Sequence, residues 1–239
     1  MPRIILIETS TSLCSTALIE GSQIVCRKES TEPRAQAAMT APFVKEMLDG
    51  KGLKVEDCDA VCVGMGPGSY TGLRVGVSTA KGLCFGAGIP LIAVSTLDTL
   101  VWQAIAEGLV PEGCSTVVPM IDARRMEVYT AVYRICEGRV VRTDEIAPVV
   151  VDGNSFAGEL AAGKVLFIGD GAKKCAGVIG SGMPENAGNA TFIEAFPKAA
   201  SMMRPAIEAF NNGTFEDVAY FEPFYLKQFV ATVSRKNLF

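Results

Sequence analysis

The order of predicted strands and helices recurs once along the chain, and this recurrence constrains the fold more than any single motif. In each half, three strands rich in apolar and β-branched residues precede a helix, and two strand–helix pairs follow. The first half places these elements at residues 3–9, 15–19, 23–26, 33–48, 60–63, 69–85, 91–94 and 95–107. The second half places them at residues 116–121, 127–135, 139–146, 154–161, 165–168, 173–179, 191–194 and 197–211.

This pattern predicts an α/β protein of two similar lobes, each with a mixed sheet between layers of helices. We place the boundary near residues 108–115, which gives an N-terminal lobe at residues 1–110 and a C-terminal lobe at residues 111–239. The second lobe includes a tail that begins at Thr214. A chain of this length can bury about 70% of its unfolded surface, so neither a disulfide nor a metal is needed for stability.

Composition excludes several classes of function. Histidine is absent, which removes Ser-His and Cys-His catalysis and any metal site with imidazole ligands. The net charge is −4, from 22 basic and 26 acidic residues. This charge argues against a protein that by itself binds nucleic acid through contacts with phosphates. Eight cysteines occur without a C-x-x-C pair, and the chain shows neither an export signal nor an apolar run of 18 residues. We therefore expect reduced thiols in a cytoplasmic protein with no membrane segment.

A glycine-rich turn at residues 64–72 connects a predicted strand to a predicted helix. The N–H groups at a helix start attract anions, so one interpretation is a phosphate cradle. The dinucleotide fingerprint fails, because Pro67 removes one N–H, Ser69 replaces the third glycine, and the next strand ends in Ser95 rather than an acid. The favoured interpretation is a tight turn in which Ser69 or Thr71 caps the helix.

The helix at residues 69–85 is apolar around most of its circumference, which indicates that it is covered on more than one side. Its internal glycines, Gly72, Gly76 and Gly82, cost about 1 kcal/mol each relative to alanine, and close helix packing is the usual compensation. One side can lie on its own sheet. The other side meets either the helix at residues 33–48, which Pro42 should kink, or a partner chain. Both faces can equally be satisfied within one chain.

Two further segments combine charge with turn residues. Residues 121–129 (IDARRMEVY) predict a hairpin turn, and the functional alternative is an anion contact by Arg124 or Arg125. Gly169-Asp170-Gly171 follows a strand and is either a simple turn or a vestigial nucleotide loop.

Four motifs together resemble the bacterial TsaB (YeaZ) family. They are residues 7–11 (IETST) with 14–18 (CSTAL), 66–76 (GPGSYTGLRVG), 78–83 (STAKGL) and 122–129 (DARRMEVY). The resemblance implies the duplicated ribonuclease H-like ATPase fold shared by actin, sugar kinases and TsaD. It also implies a non-catalytic partner of the TsaD-type catalytic subunit. With a TsaE-type ATPase, the two attach threonylcarbamoyl to the adenosine beside the tRNA anticodon.

The resemblance further implies that the two early helices form the partner face, which a homodimer would share, and that tRNA is reached only through the complex. The residues assigned to partner binding are Met39, Phe43, Met47, Gly68, Ser69, Tyr70, Thr71, Gly72, Arg74, Val75, Gly76, Thr79 and Leu83. The residues assigned to a vestigial nucleotide site are Glu8, Thr9, Ser10, Thr11, Gly169, Asp170 and Gly171.

Both expected phosphate loops depart from the pattern of active relatives. Glu8 stands where many relatives have Asp, Ser10 adds a side chain where a backbone must approach phosphate, and the loop at Asp122 has no glycine. We therefore expect no catalytic residue, no metal and no cofactor. The alternative is a hydrolase that binds a nucleotide through Glu8 and a magnesium ion. A peptidase activity has no obvious mechanism in this chain.

Overall fold

The computed structural model describes residues 1–226, which form two mixed sheets with helices on both faces of each. The first sheet has the strand order β3-β2-β1-β4-β5, in which β1 is antiparallel to β2 and parallel to β4. Its strands are β1 (Arg3–Glu8), β2 (Cys14–Glu20), β3 (Gln23–Ser30), β4 (Ala60–Gly66) and β5 (Leu91–Ser95). Helices α1 (Ala35–Asp49) and α2 (Tyr70–Ala87) pack side by side on one face of this sheet.

The second sheet has the strand order β10-β7-β6-β11-β12, with β8 paired to β6 and β9 paired to β8. Its strands are β6 (Thr116–Asp122), β7 (Glu127–Thr130), β8 (Tyr133–Cys136), β9 (Arg139–Arg142), β10 (Ala147–Val150), β11 (Val165–Ile168) and β12 (Ala190–Ile193). Helices α4 (Ala157–Ala162) and α5 (Ala172–Cys175) cover one face, and α3 (Thr96–Ala106) covers the other.

The two sheets repeat one topology. The order β2-β1-β4-β5 in the first corresponds to β7-β6-β11-β12 in the second, with one antiparallel neighbour and two parallel steps in each case. This correspondence confirms the prediction of two similar lobes of the actin-like and sugar-kinase type. In both lobes the parallel strands end at the same edge, where the two expected phosphate loops lie.

Two predicted strands of the second lobe are wrong in extent. Residues 127–135 form β7 and β8 rather than one strand, because both pair with β6 but on either side of Pro119. Proline has no N–H to donate, so the ladder is interrupted there. Residues 139–146 likewise end as a strand at Arg142, and β10 begins at Ala147.

The helices of the second lobe are shorter than predicted. The segment at residues 173–179 is helical only as α5, and Gly177 follows soon after its end. The segment at residues 197–211 starts as a 3-10 turn, Ala199–Met202, and continues as α6 (Met203–Asn211).

The helical layers cross between the lobes. Helix α3, from the first half of the chain, packs on the second sheet, whereas α6, from the second half, packs on the first. The N–H of Ala199 donates to Ser15 Oγ at 2.9 Å, and the N–H of Lys198 donates to Gln103 Oε1 at 3.1 Å. The domain boundary at residues 108–115 stays a prediction. Helices α3 and α6 each pack on the sheet of the lobe on the other side of that boundary. Residues 227–239 of the predicted tail lie outside the described residues.

No helix within residues 1–226 combines the length and apolar character that crossing a membrane requires.

Candidate functional site

The first expected phosphate loop, residues 8–11, connects β1 to β2 and lies directly against the start of α2. Thr9 Oγ1 donates a hydrogen bond to the Gly72 carbonyl at 2.8 Å, and the N–H of Ser69 donates to the Ser10 carbonyl at 2.6 Å. All four side chains of the loop are buried. The Thr9 hydroxyl and the Ser10 carbonyl are therefore engaged within the chain, whereas Ser10 Oγ and Thr11 Oγ1 are buried without a hydrogen-bond partner among the described residues.

Three glycines make this contact possible. A Cβ atom on Gly68 would overlap the Ser10 carbonyl, one on Gly72 would overlap the Thr9 carbonyl, and one on Gly76 would overlap Thr9 Oγ1. Each overlap lies inside 3.0 Å, a separation that real Cβ atoms essentially never show. Glycine is required at Gly68 and Gly72 because the backbone of the first loop passes so close to α2, and at Gly76 because the Thr9 hydroxyl does.

The turn before α2 has the predicted capping. Ser69 Oγ accepts the N–H of Gly72 at 3.3 Å, so Ser69 rather than Thr71 is the N-cap of α2. The bond between Gly66 and Pro67 is cis. The interpretation as a tight strand-to-helix turn is confirmed.

Glu8, at the end of β1, carries a carboxylate that is closed off from solvent. Its Oε1 accepts the N–H of Ser10 at 2.7 Å, whereas Oε2 has no hydrogen-bond partner among the described residues. Burial raises the pKa of Glu8 to about 7, and the hydrogen bonds from Ser10 oppose that rise. A Cβ on Gly64 would overlap Oε2, so the side chain is pressed against β4. This environment does not fit a magnesium-bound nucleotide, which needs an accessible, ionised carboxylate.

The glycine turn at residues 169–171, also assigned to the vestigial nucleotide site, is closed in a similar way. The N–H of Gly171 donates to the Met120 carbonyl at 3.0 Å, and a Cβ on Gly169 would overlap that carbonyl. Asp170 Oδ1 accepts the N–H of Asp122 at 2.9 Å. Burial raises the pKa of Asp170 to about 6, partly offset by its hydrogen bond from Asp122. This loop is a structural turn that ties β11 to β6.

The charged segment after β6 forms the predicted hairpin with β7. Arg124 and Arg125 both have left-handed backbones, with φ of 72° and 51°, and both side chains are exposed. Lys174 pairs with the Asp122 carboxylate at the base of this hairpin. An anion contact by either arginine stays a prediction. Within residues 1–226, no three Asp, Glu, Cys or His side chains are grouped to hold a metal ion.

The residues assigned to partner binding divide into three groups. Ser69, Thr71 and Arg74 are exposed, and six are half-buried: Met39, Gly68, Tyr70, Val75, Thr79 and Leu83. Four are buried within the chain: Phe43, Met47, Gly72 and Gly76.

The four buried residues correct the assignment made from sequence. The stripe at Met39, Phe43 and Met47 is real, but Phe43 and Met47 face the core rather than the outside. Gly72 and Gly76 accommodate Thr9 rather than a second helix. These four side-chain positions are therefore unavailable to a partner in this conformation.

The outer sides of the two helices carry small and apolar residues, several of which the sequence reasoning missed. We call this surface the outer α1–α2 face and define it by Ala37, Ala38, Ala41, Pro42, Thr71, Val75, Thr79, Gly82, Phe85 and Gly86. Phe85 is 85% exposed, and a Cβ on Gly82 or Gly86 would meet no atom within 4 Å. Periodicity could have found Phe85, since it falls opposite the buried stripe of α2.

The C-terminal segment covers another side of α2, a contact that no sequence signal indicated. Phe221 is buried in the core beneath α2, and Lys81 Nζ donates to the carbonyls of Ala219 and Phe221 at 3.1 and 3.0 Å. Tyr225 lies over Tyr70 with ring centroids 5.0 Å apart. The segment is therefore part of the surface around the start of α2.

These features define a class: a two-lobed protein of the actin-like and sugar-kinase fold in which the first phosphate loop and the glycine turn at residues 169–171 are closed by contacts within the chain. A family model described as "TsaD: tRNA N6-adenosine threonylcarbamoyltransferase" matches residues 32–233. The "tRNA threonylcarbamoyladenosine biosynthesis protein TsaB" of Escherichia coli K12 is 32% identical over 234 residues, which cover 96% of each chain. The protein of the same name from Haemophilus influenzae is 40% identical over 123 residues, which cover 52% of this chain and 50% of that one. A solved structure, "YeaZ from Pseudomonas aeruginosa", superposes with a TM-score of 0.77 at 27% identity and covers 95% of this chain and 100% of that chain. The chain belongs to the TsaB (YeaZ) family, as the motifs of its first half predicted.

Proposed function

We propose that this chain is a non-catalytic subunit of the machinery that forms threonylcarbamoyladenosine in tRNA, and that it binds a TsaD-type catalytic subunit through the outer α1–α2 face. The names of its relatives support the pathway. The contacts of the described residues support the division of labour, because α1 and α2 present a surface for binding while the first loop is engaged with α2.

The observation that carries the proposal is the outer α1–α2 face itself. An exposed phenylalanine beside rows of small residues is an apolar surface that is unfavourable in water, and burying it against a partner lowers the free energy. Gly82 and Gly86 leave open space above α2, so the backbone of a partner can approach closely. A helix from a second protein of the same fold has the shape that such a surface accepts.

The closed first loop supports the non-catalytic role. A nucleotide would have to displace the Thr9 hydroxyl from Gly72 and the Ser10 carbonyl from Ser69 before its phosphates could enter. Calorimetric titration of the isolated chain with ATP and magnesium should detect no site tighter than about 10 μM, which corresponds to roughly −7 kcal/mol. A tighter site would favour the alternative, a nucleotide-binding hydrolase of this fold.

The decisive test of the binding face is Gly82→Arg, with Gly158→Arg as its matched control. Both glycines are helical and exposed, and at both a Cβ meets nothing within 4 Å, but Gly158 lies on α4 in the other lobe. Both substitutions should preserve or raise thermal stability, since arginine favours helix by up to about 1 kcal/mol over glycine. Gly76→Arg is unsuitable, because its side chain would collide with Thr9 and test folding instead.

We expect Gly82→Arg to weaken the affinity for the TsaD-type subunit at least a hundredfold, measured by calorimetry or biolayer interferometry. Gly158→Arg should leave the affinity within twofold of the unchanged chain. Equal affinities for both variants would show that the outer α1–α2 face is not the binding surface.

The same face would serve a homodimer, so Gly82→Arg should also remove any dimer seen by sedimentation. A TsaE-type ATPase should join only the complex. The net charge of −4 favours a chain that does not retain tRNA alone at about 0.15 M salt, a prediction that filter binding checks.

A further inference from the structure

A groove of about 440 Å³ runs between α2 and the C-terminal segment at residues 221–225. Its polar walls are formed by Arg74, Ser78 and Lys81 from α2 and by Glu222 and Tyr225 from the segment. The groove opens beside Arg74, a residue assigned to partner binding from sequence. It exists only because the C-terminal segment is held against α2.

The two positively charged side chains of the groove, Arg74 and Lys81, donate hydrogen bonds to neutral acceptors. Lys81 Nζ is bonded to two backbone carbonyls, those of Ala219 and Phe221. Arg74 donates from Nε to the Tyr225 hydroxyl at 3.4 Å. Glu222 is the one acidic residue among those that line the groove. The groove thus carries an excess of positive charge and suits an incoming carboxylate.

The guanidinium of Arg74 is held between two tyrosines. Its Cζ lies 4.2 Å from the centroid of the Tyr70 ring, and the Tyr225 ring packs on Tyr70 with centroids 5.0 Å apart. An arginine that is fixed in this way has already lost much of its side-chain freedom, so binding costs less entropy. Arginine and tyrosine are also the residues that dominate interface energies.

We propose that this groove receives an acidic side chain of the catalytic subunit, bound by Arg74, and that Tyr225 is a positioning residue that holds the guanidinium for it. The inference rests on the proposed function and extends it, because it adds the C-terminal segment to the binding surface. Tyr225 acts through Arg74 and Tyr70 rather than by its own contact with the carboxylate.

A double-mutant cycle tests this coupling. Arg74→Ala should weaken the affinity for the TsaD-type subunit at least tenfold, and Tyr225→Ala at least threefold. The double variant should bind no more than about twofold more weakly than Arg74→Ala alone, since the two residues act as one unit. Tyr225→Phe keeps the ring on Tyr70 and should stay within threefold of the unchanged chain. Tyr220→Ala is the control, because Tyr220 directly precedes this segment, is 84% exposed and does not line the groove.

The salt dependence of binding separates an electrostatic role from a structural one. Arg74→Ala should flatten the decrease in affinity between 50 and 300 mM KCl (about the range over which screening becomes strong), whereas a general loss of packing would leave that slope unchanged. An unchanged slope, wild-type affinity for Arg74→Ala or Tyr225→Ala, or multiplied effects in the double variant would each overturn the inference. If Gly82→Arg abolishes binding while these variants bind normally, the proposed function stands and the groove has no part in it.

Discussion

Alanine in place of Gly72 or Gly82 makes the same chemical change at two positions of α2, yet the structure predicts opposite effects on stability. At Gly82 the added Cβ meets no atom within 4 Å, so the substitution only removes the conformational freedom of glycine. That change stabilises a helix by about 1 kcal/mol. At Gly72 the added Cβ overlaps the Thr9 carbonyl, which is backbone and cannot rotate away.

The cost at Gly72 has two parts. Forcing an additional methyl group into a filled contact costs about 1–3 kcal/mol. The displacement also weakens the hydrogen bond from Thr9 Oγ1 to the Gly72 carbonyl, worth about 1 kcal/mol. After subtracting up to about 1 kcal/mol of gained helix propensity, Gly72→Ala should destabilise the chain by roughly 1–3 kcal/mol.

Thermal unfolding followed by circular dichroism measures the difference. For a chain of this size, 1 kcal/mol corresponds to a shift in Tm of about 2–4 °C. Gly82→Ala should raise the Tm by about 2–4 °C, and Gly72→Ala should lower it by roughly 2–12 °C. If Gly72→Ala raised the Tm as Gly82→Ala does, the tight contact between α2 and the first loop would be refuted, and the glycines of α2 would need another explanation.

Three further substitutions follow from individual contacts. Glu8→Gln tests the buried carboxylate: the folded pKa of about 7 exceeds the usual 4.5, so the unchanged chain loses stability as pH rises between these values. The free energy of unfolding of the unchanged chain should therefore fall relative to that of Glu8→Gln by roughly 2–3 kcal/mol from pH 5 to pH 8. Parallel curves of stability against pH for the two proteins would contradict this. Tyr133→Phe removes the hydroxyl that donates to Asp98 Oδ1 at 2.6 Å and should cost about 1–3 kcal/mol in urea unfolding, whereas Tyr220→Phe should change stability by less than about 0.5 kcal/mol. Phe85→Ala should leave stability within about 0.5 kcal/mol but weaken affinity for the TsaD-type subunit, and unchanged affinity would remove Phe85 from the binding surface.

Local patterns predicted much of the first lobe. The apolar runs placed its strands, and capping preference placed the start of α2 at Ser69 or Thr71, of which the structure selects Ser69. The second lobe was less predictable because the strand pattern there is broken by a tertiary feature. Pro119 interrupts the ladder of β6, and that interruption divides a continuous apolar stretch into β7 and β8.

The candidate site was predictable only in part, because exposure depends on what lies across from a residue. A helical pattern places Gly72 and Gly82 on different sides of α2, but it cannot show that Thr9, 63 residues before Gly72, leaves no room there for a Cβ atom. Helical periodicity found the stripe that includes Phe43 but could not show that it faces the sheet. The contact of Tyr225 with Arg74 spans 151 residues and has no local signal at all.

The repeated topology places the same kind of contact in both lobes. In each lobe the loop after the first strand is bonded to the turn after a neighbouring parallel strand: Ser10 to Ser69 in one, and Asp122 to Asp170 in the other. A glycine in each turn permits the approach, so the closure depends on backbone geometry rather than on a single side chain. Removing the Thr9 side chain would therefore not reopen the first loop, because the bond between Ser69 and Ser10 would remain. The backbone groups of the first loop thus stabilise the chain itself, whereas Glu8 Oε2, Ser10 Oγ and Thr11 Oγ1 are buried without a hydrogen-bond partner among the described residues.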